Sequence, residues 1–246
     1  MYEHETFKNA PITEATATLQ IAHPRPPTAA QFEEYAATVA SGFPVKEEKT
    51  GFATSLTISG NEPIFQNVPQ KFLELRSDDN KNVIQVRPNS LSYSRLKPYI
   101  SWDDFVTRTL ECWRPHFTLA SSSAVLGISL RYVNRIDLPN PYEEADYFAT
   151  RLSYAASFPN TFTNMFLAFS MRGKETDSTG NVLIFMDQRQ SNPEKIATIF
   201  QIDVDKRTAL TTNFEDEVIS VMKSLRDFKN ELFFLSITEK TKALFR

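Results

Sequence analysis

Glycine is the first scarcity. Six glycines occur in 246 residues, at positions 42, 51, 60, 127, 173 and 180. None stands in a G-x-G-x-x-G or Walker spacing, so the chain has no glycine-rich loop to cradle a phosphate. No G-x-S-x-G nucleophile elbow is present either. A single cysteine, Cys112, excludes an intramolecular disulfide and any cysteine-rich zinc module. Its neighbours Leu110, Trp113 and Phe117 make it a small buried hydrophobe on a helix. The three histidines, at 4, 23 and 116, are far apart in the chain, and two adjoin prolines. They read as exposed or capping residues rather than as metal ligands or part of a Ser-His-Asp relay. An excess of positive charge is also missing. The net charge of -3 and pI near 5.7 argue against generic binding to a phosphate backbone, which needs clustered Lys and Arg. No apolar run approaches a membrane span, and the opening M-Y-E-H-E-T-F-K lacks a basic region followed by an apolar one. The expected setting is cytoplasmic.

Phenylalanine, by contrast, is abundant at 20, and so many rings with so few glycines predict layers of regular structure around a core. Thr13 to Ala22 is β-leaning. Thr28 is a plausible cap for a helix from Ala29 to Ser41, whose Phe32, Tyr35, Ala36 and Val39 form one apolar stripe. Strands are expected at Phe52 to Ile58, Phe72 to Arg76, Val83 to Arg87 and Leu91 to Tyr93, as an antiparallel meander. Ser101 caps a second helix, ended by Pro115. A strand from Val125 to Leu138 follows, and P-N-P at 139 to 141 marks a boundary between an N-terminal α+β half (1–138) and a C-terminal one (139–246). The second half reads as a short acidic helix from Tyr142 to Thr150, then strands near Thr161 to Arg172, Val182 to Arg189 and Lys195 to Asp205. Asn213 caps a last long helix from Phe214 to about Asn230. The fold class is α+β: an antiparallel sheet packed against two or three long helices, with two halves of similar coarse order.

The stretch G-I-S-L-R-Y-V-N-R-I-D, residues 127 to 137, is the most informative. Strand side chains alternate between faces. Ile128, Leu130, Tyr132, Asn134 and Ile136 therefore share one face, and Ser129, Arg131, Val133 and Arg135 the other. Arg131 and Arg135 lie roughly 13 Å apart on that face, which suits an ion-pair network or an anion-facing wall. The matching acids are in F-Q-I-D-V-D-K-R, residues 200 to 207, where Gln201, Asp203 and Asp205 share a face. Two carboxylates about 6.6 Å apart could hold a divalent ion with a third ligand. They could equally satisfy Arg131 and Arg135 on a neighbouring strand, which explains both motifs with nothing added. A nuclease would want an acid two residues before a lysine beside such a strand, and Glu47 with Lys49 falls in an expected loop. A surface for single-stranded nucleic acid would look like Tyr93, Arg95, Lys97 and Tyr99, rings alternating with cations on an extended segment. Edge-strand solubility is the plainer account of it.

Several of these stretches together resemble a sporadically distributed family of bacterial proteins of unknown function. Pro11, Ile12, Glu14 and Ala15 match its Pro-Ile-x-Glu-Ala opening. Ile84, Gln85 and Val86 match a strand, and Tyr99, Trp102 and Phe105 match a Tyr-x-x-Trp-x-x-Phe helix start. Leu130 to Ile136 matches Leu-Arg-Tyr-x-Asn-Arg-Ile, and Ile202 to Asp205 matches Ile-Asp-x-Asp. Phe234, Ile237 and Thr238 match the C-terminal pattern. The resemblance covers nearly the whole chain. It brings no activity, cofactor or catalytic residue, and implies a defence or mobile-element context. Members carry a histidine near the end of the last long helix, where this chain has Arg226 and Asp227.

The expected function is non-catalytic: a binding or regulatory protein that assembles with itself or a partner protein, without cofactor, metal or catalytic set. Arg131, Asn134, Arg135, Asp203 and Asp205 form its binding or structural ion-pair network. The alternative is a metal-dependent hydrolase acting on nucleic acid through Asp203 and Asp205. A weaker third reading is a small-anion sensor built on Arg131 and Arg135.

Overall fold

The computed structural model of the chain describes residues 5–23, 27–59, 62–119, 124–151, 164–173, 178–187, 194–210 and 214–246. Among these residues nine strands form one antiparallel sheet. They are β1 (Ile12–Ala22), β2 (Val45–Ser59), β3 (Glu62–Arg76), β4 (Asn82–Arg87), β5 (Ser90–Leu96), β6 (Ala124–Pro139), β7 (Asn164–Arg172), β8 (Thr179–Asp187) and β9 (Lys195–Leu210). Their order is β2-β3-β4-β5-β1-β6-β9-β8-β7. The helices are α1 (Ala29–Val39), α2 (Trp102–Leu119), α3 (Glu144–Tyr147), α4 (Phe214–Ser236) and α5 (Glu239–Ala243). The α+β class and the antiparallel sheet are as the sequence predicts.

Alternation dictates which face is covered. On β1, Ala15, Ala17, Leu19 and Ile21 are buried; on β6, Ile128, Leu130, Tyr132, Asn134, Ile136 and Leu138; on β9, Ile196, Thr198, Phe200, Ile202 and Val204. These residues join Phe105, Trp113, Val218, Met222, Leu225 and Phe228 of α2 and α4 in one core. Helix α4 touches β9, β6 and β8, and α2 touches β5 and α1. At Gly180 in β8 the sheet comes too close to α4 for a side chain. A Cβ there would stand 2.6 Å from Leu232 Cδ1 and 3.0 Å from the Phe228 ring. The opposite face is polar at its centre, where the hydroxyls of Thr16 and Ser94 (2.7 Å) and of Thr18 and Ser92 (2.8 Å) pair between β1 and β5.

Several boundaries differ from the sequence reading. β2 and β3 form a hairpin paired from Val45–Arg76 to Ser59–Glu62, longer than the apolar alternation announced. Glu47 and Lys49 are therefore on a strand, not in a loop. Pro115 lies inside α2, which runs on to Leu119. The proline removes one backbone donor, while Trp113 and His116 remain buried on either side of it. The acidic helix shrinks to α3, and α4 continues past Asn230 to Ser236, where Leu232 and Phe233 extend the buried stripe. The Asn213 cap and the outer ends of the strands expected at Thr161 and Arg189 lie outside the described residues. The Thr28 cap is present as a full capping box with Gln31.

The histidines are a correction. His116 is buried, and its ring lies 5.6 Å from that of His23 and 5.8 Å from that of Tyr35. The Tyr35 hydroxyl donates to the Cys112 carbonyl (2.9 Å), tying α1 to α2. Burial, and then the nearby His23, pull the His116 pKa down to about 4 from its ordinary 6.5. Between those values the unfolded chain binds more protons than the folded one, so stability rises with pH across this window and falls as pH drops through it. His116→Phe is expected to flatten the dependence of Tm on pH between 4 and 6.5; an equally steep profile would place the acid sensitivity elsewhere. Gly180→Ala is expected to cost about 1–2 kcal/mol in chemical denaturation, because the Leu232 and Phe228 side chains must give way.

Candidate functional site

The register of β6 against β9 decides what the predicted site residues do. Arg131 stands directly opposite Asp203, Ser129 opposite Asp205, and Arg135 opposite Ile199. The Arg131 Nε donates to Asp203 Oδ1 at 2.5 Å, and Gln201 Nε2 donates to Asp203 Oδ2 at 2.6 Å. Arg131 and Asp203 form the expected cross-strand pair, but on the open face of the sheet. Their side chains are 54% and 27% exposed, so the pair is not interior. Arg135 does not reach Asp205. It donates instead to Asp137, two residues along its own strand, at 2.9 Å, because the register places it four residues from the level of Asp203. Asp205 has no ion-pair partner among the described residues; burial raises its pKa, against the pull of Arg207. Asn134 is on the covered face, where its amide donates to the Phe200 carbonyl at 2.9 Å. It ties β6 to β9 within the core and belongs to no charge network.

The nucleic-acid surface suggested by Tyr93, Arg95, Lys97 and Tyr99 does not form. Tyr93 is fully buried, with its ring 5.7 Å from that of Phe105 and its hydroxyl on Asn82. Tyr99 packs between Phe105 and Tyr132. Arg95 donates to the Pro98 carbonyl and to Asn82 Oδ1. Rings enclosed in a core have no face left for a base. Among the described residues no three His, Cys, Asp or Glu side chains are grouped to hold a metal ion, so Asp203 and Asp205 gain no third acid there.

A buried ion-pair cluster does exist, at a residue the sequence reading passed over. Glu74 on β3 is only 5% exposed, and its carboxylate accepts from Lys49 (2.5 Å), Arg76 (2.5 Å) and Gln85 (3.1 Å). Burial pushes its pKa up, but the hydrogen bonds from Lys49, Arg76 and Gln85 outweigh that and hold it below the ordinary value. Only the pairing of β2, β3 and β4 brings these groups together. The one signal in the sequence was Glu74 lying between Leu73 and Leu75 on a strand.

Beyond the Arg131–Asp203 pair the open face turns apolar toward β7. One row across the sheet reads Arg135, Ile199, Phe185, Phe166, and the next reads Val133, Gln201, Leu183, Ala168. Phe166 is 67% exposed and Phe185 37%. β7 is an outermost strand of the sheet, and its sequence N-M-F-L-A-F-S-M-R carries no proline and no charge before Arg172. The other outermost strand, β2, carries Lys46, Glu47, Glu48 and Lys49. Charged side chains blunt a sheet edge against pairing with another chain; β2 has four of them in its first five residues, whereas β7 has Arg172 at its end. Phe166 and Phe185 were missed by the sequence reading because an exposed ring and a core ring look alike until the register assigns a face.

No protein-family model matches the chain, and no curated protein matches it in sequence.

The two charge clusters should respond differently to mutation. Arg131→Ala is expected to change stability by less than about 1 kcal/mol, as exposed pairs do. Glu74→Ala is expected to cost about 2–3 kcal/mol, since it opens a buried cavity, strands Arg76 and leaves Lys49 only its ion pair with Glu47 at 3.4 Å. Urea denaturation of the two variants checks this ranking, and equal losses would refute it.

Proposed function

We propose that the chain is a non-catalytic binding or regulatory protein that works through protein–protein assembly, and that it belongs to the sporadically distributed bacterial family its motifs resemble. Its assembly surface is the open edge of the sheet at β7 with the adjoining Phe166 and Phe185. The single observation that carries this reading is the exposed Phe166, aligned with Phe185 on an edge strand that has no charge or proline along most of its length.

The occupant that suits this surface is a second copy of the chain. A twofold interface needs a patch complementary to itself. Here an apolar centre is flanked on one side by both signs of charge, Arg131 with Asp203 and Arg135 with Asp137. Edge pairing adds backbone hydrogen bonds to apolar contact. The two-halves reading of the fold fits the same proposal. With the boundary drawn before β6 instead of at residue 139, the first strand of each half, β1 or β6, lies beside the last strand of the following meander, β5 or β9, and a long helix, α2 or α4, comes next. Each half's first strand then pairs with the other's at the centre, leaving β2 and β7 as the two outer strands. The hydrolase alternative draws no support from the geometry of Asp203, which is engaged by Arg131 and Gln201.

Sedimentation velocity over a range of concentrations tests the reading. The wild-type chain is expected to self-associate, and Phe166→Lys to remain monomeric at least tenfold higher in concentration with an unchanged Tm. A wild-type chain that stays monomeric at high micromolar concentration would refute it.

A further inference from the structure

Among the described residues, two cations on the covered side of the sheet have no salt-bridge partner. Arg226 and Lys229 are one helical turn apart on α4, both half-buried. The Lys229 Nζ lies 4.2 Å from the centre of the Tyr132 ring, and the Arg226 guanidinium 5.0 Å from that of Trp102. Among the described residues neither forms a salt bridge, whereas the exposed pairs Arg114–Glu215, Arg131–Asp203 and Arg135–Asp137 are each closed. Beneath them the Tyr99 and Tyr132 hydroxyls are 3.4 Å apart. One proton can serve the contact between the two oxygens, which leaves the other hydroxyl free to donate.

Such an arrangement is costly as it stands. Like charges three residues apart on a helix repel, and a desolvated ammonium without an anion is penalised. Burial, followed by the neighbouring Arg226, draws the Lys229 pKa down to about 7 from its ordinary 10.5. The contacts to Tyr132 and Trp102 recover only part of this, since a ring face offers a cation less than an anion does. An oxyanion between the two side chains would remove the repulsion and would meet the ammonium, the planar guanidinium donors and a tyrosyl hydroxyl at once.

We propose that Arg226, Lys229, Tyr99 and Tyr132 form a binding site for a small oxyanion, the phosphate or carboxylate group of a soluble ligand, between α4 and the start of α2. The site is separate from the β7 edge and does not depend on the assembly reading. Arg226 supplies the paired donors, Lys229 the compact charge, and the tyrosines orient the oxygen nearest the sheet.

The test uses the full chain with inorganic phosphate and acetate as separate probes. Titration is followed by calorimetry and by the NMR signal of the Lys229 side chain. Phosphate or acetate is expected to bind, to raise the Lys229 pKa, and to bind at least tenfold more weakly in Arg226→Met and Lys229→Met. A response to phosphate alone assigns a phosphate ligand, and one to acetate alone a carboxylate. Lys229→Met removes a desolvated charge and is expected to melt no lower than wild type, so loss of binding there is not unfolding. No response to either anion at tens of millimolar, or equal binding in both variants, overturns the proposal.

Discussion

The structure depends on strict alternation along β6, held between β1 and β9. One face of this strand is closed by the helices and the other is open. Every side chain from Ile128 to Leu138 is committed to one side or the other by that fact. A slip of one residue would put Arg131 and Arg135 under α4 and leave Ile128, Leu130 and Ile136 in water. The cost of burying those guanidiniums and exposing that apolar area fixes the register. With it come the Arg131–Asp203 pair, the Asn134 bond to Phe200 and the position of Tyr132 beneath Lys229.

The covered face behaves as a core with one anomaly. Most of it is aliphatic or aromatic, and Phe105 links Tyr93, Tyr99, Trp102 and Tyr132 into a ring cluster where α2 meets the sheet. The residues of the Tyr-x-x-Trp-x-x-Phe stretch and Tyr132 of the central motif all fall in this cluster. Lys229 and Arg226 reach into its edge from α4. Placing two cations there reduces stability unless something negative joins them. The open face shows the reverse arrangement: charges are paired near its centre and apolar groups are left to the solvent near β7.

Local pattern made much of the fold legible. The capping signals at Thr28 and Ser101, the stripe on α1 and the alternation on β6 and β9 each act within a few residues of chain, so the sequence displays them. Asp203 and Arg131 could be matched because both strands alternate cleanly. Pairings that depend on register were not legible. Arg135 turned to Asp137, Asn134 bonded across to Phe200, and Glu74 gathered Lys49, Arg76 and Gln85 from three strands. The proximity of His23 and His116 likewise arises from the packing of α2 against the end of β1, which no spacing records. Exposed aromatics were the hardest to see, because hydrophobicity does not tell a strand which of its faces will be covered, and strand order alone made β7 an edge.

The central claim is that β7 is an edge built to be paired. Hydrogen exchange of the β7 amides, measured at low and high protein concentration, tests it most directly. The alternate amides of Asn164–Arg172 that do not bond to β8 should exchange quickly in dilute solution and become protected as concentration rises, while β2 amides stay unchanged. Exchange in β7 that is the same at every concentration would contradict the account.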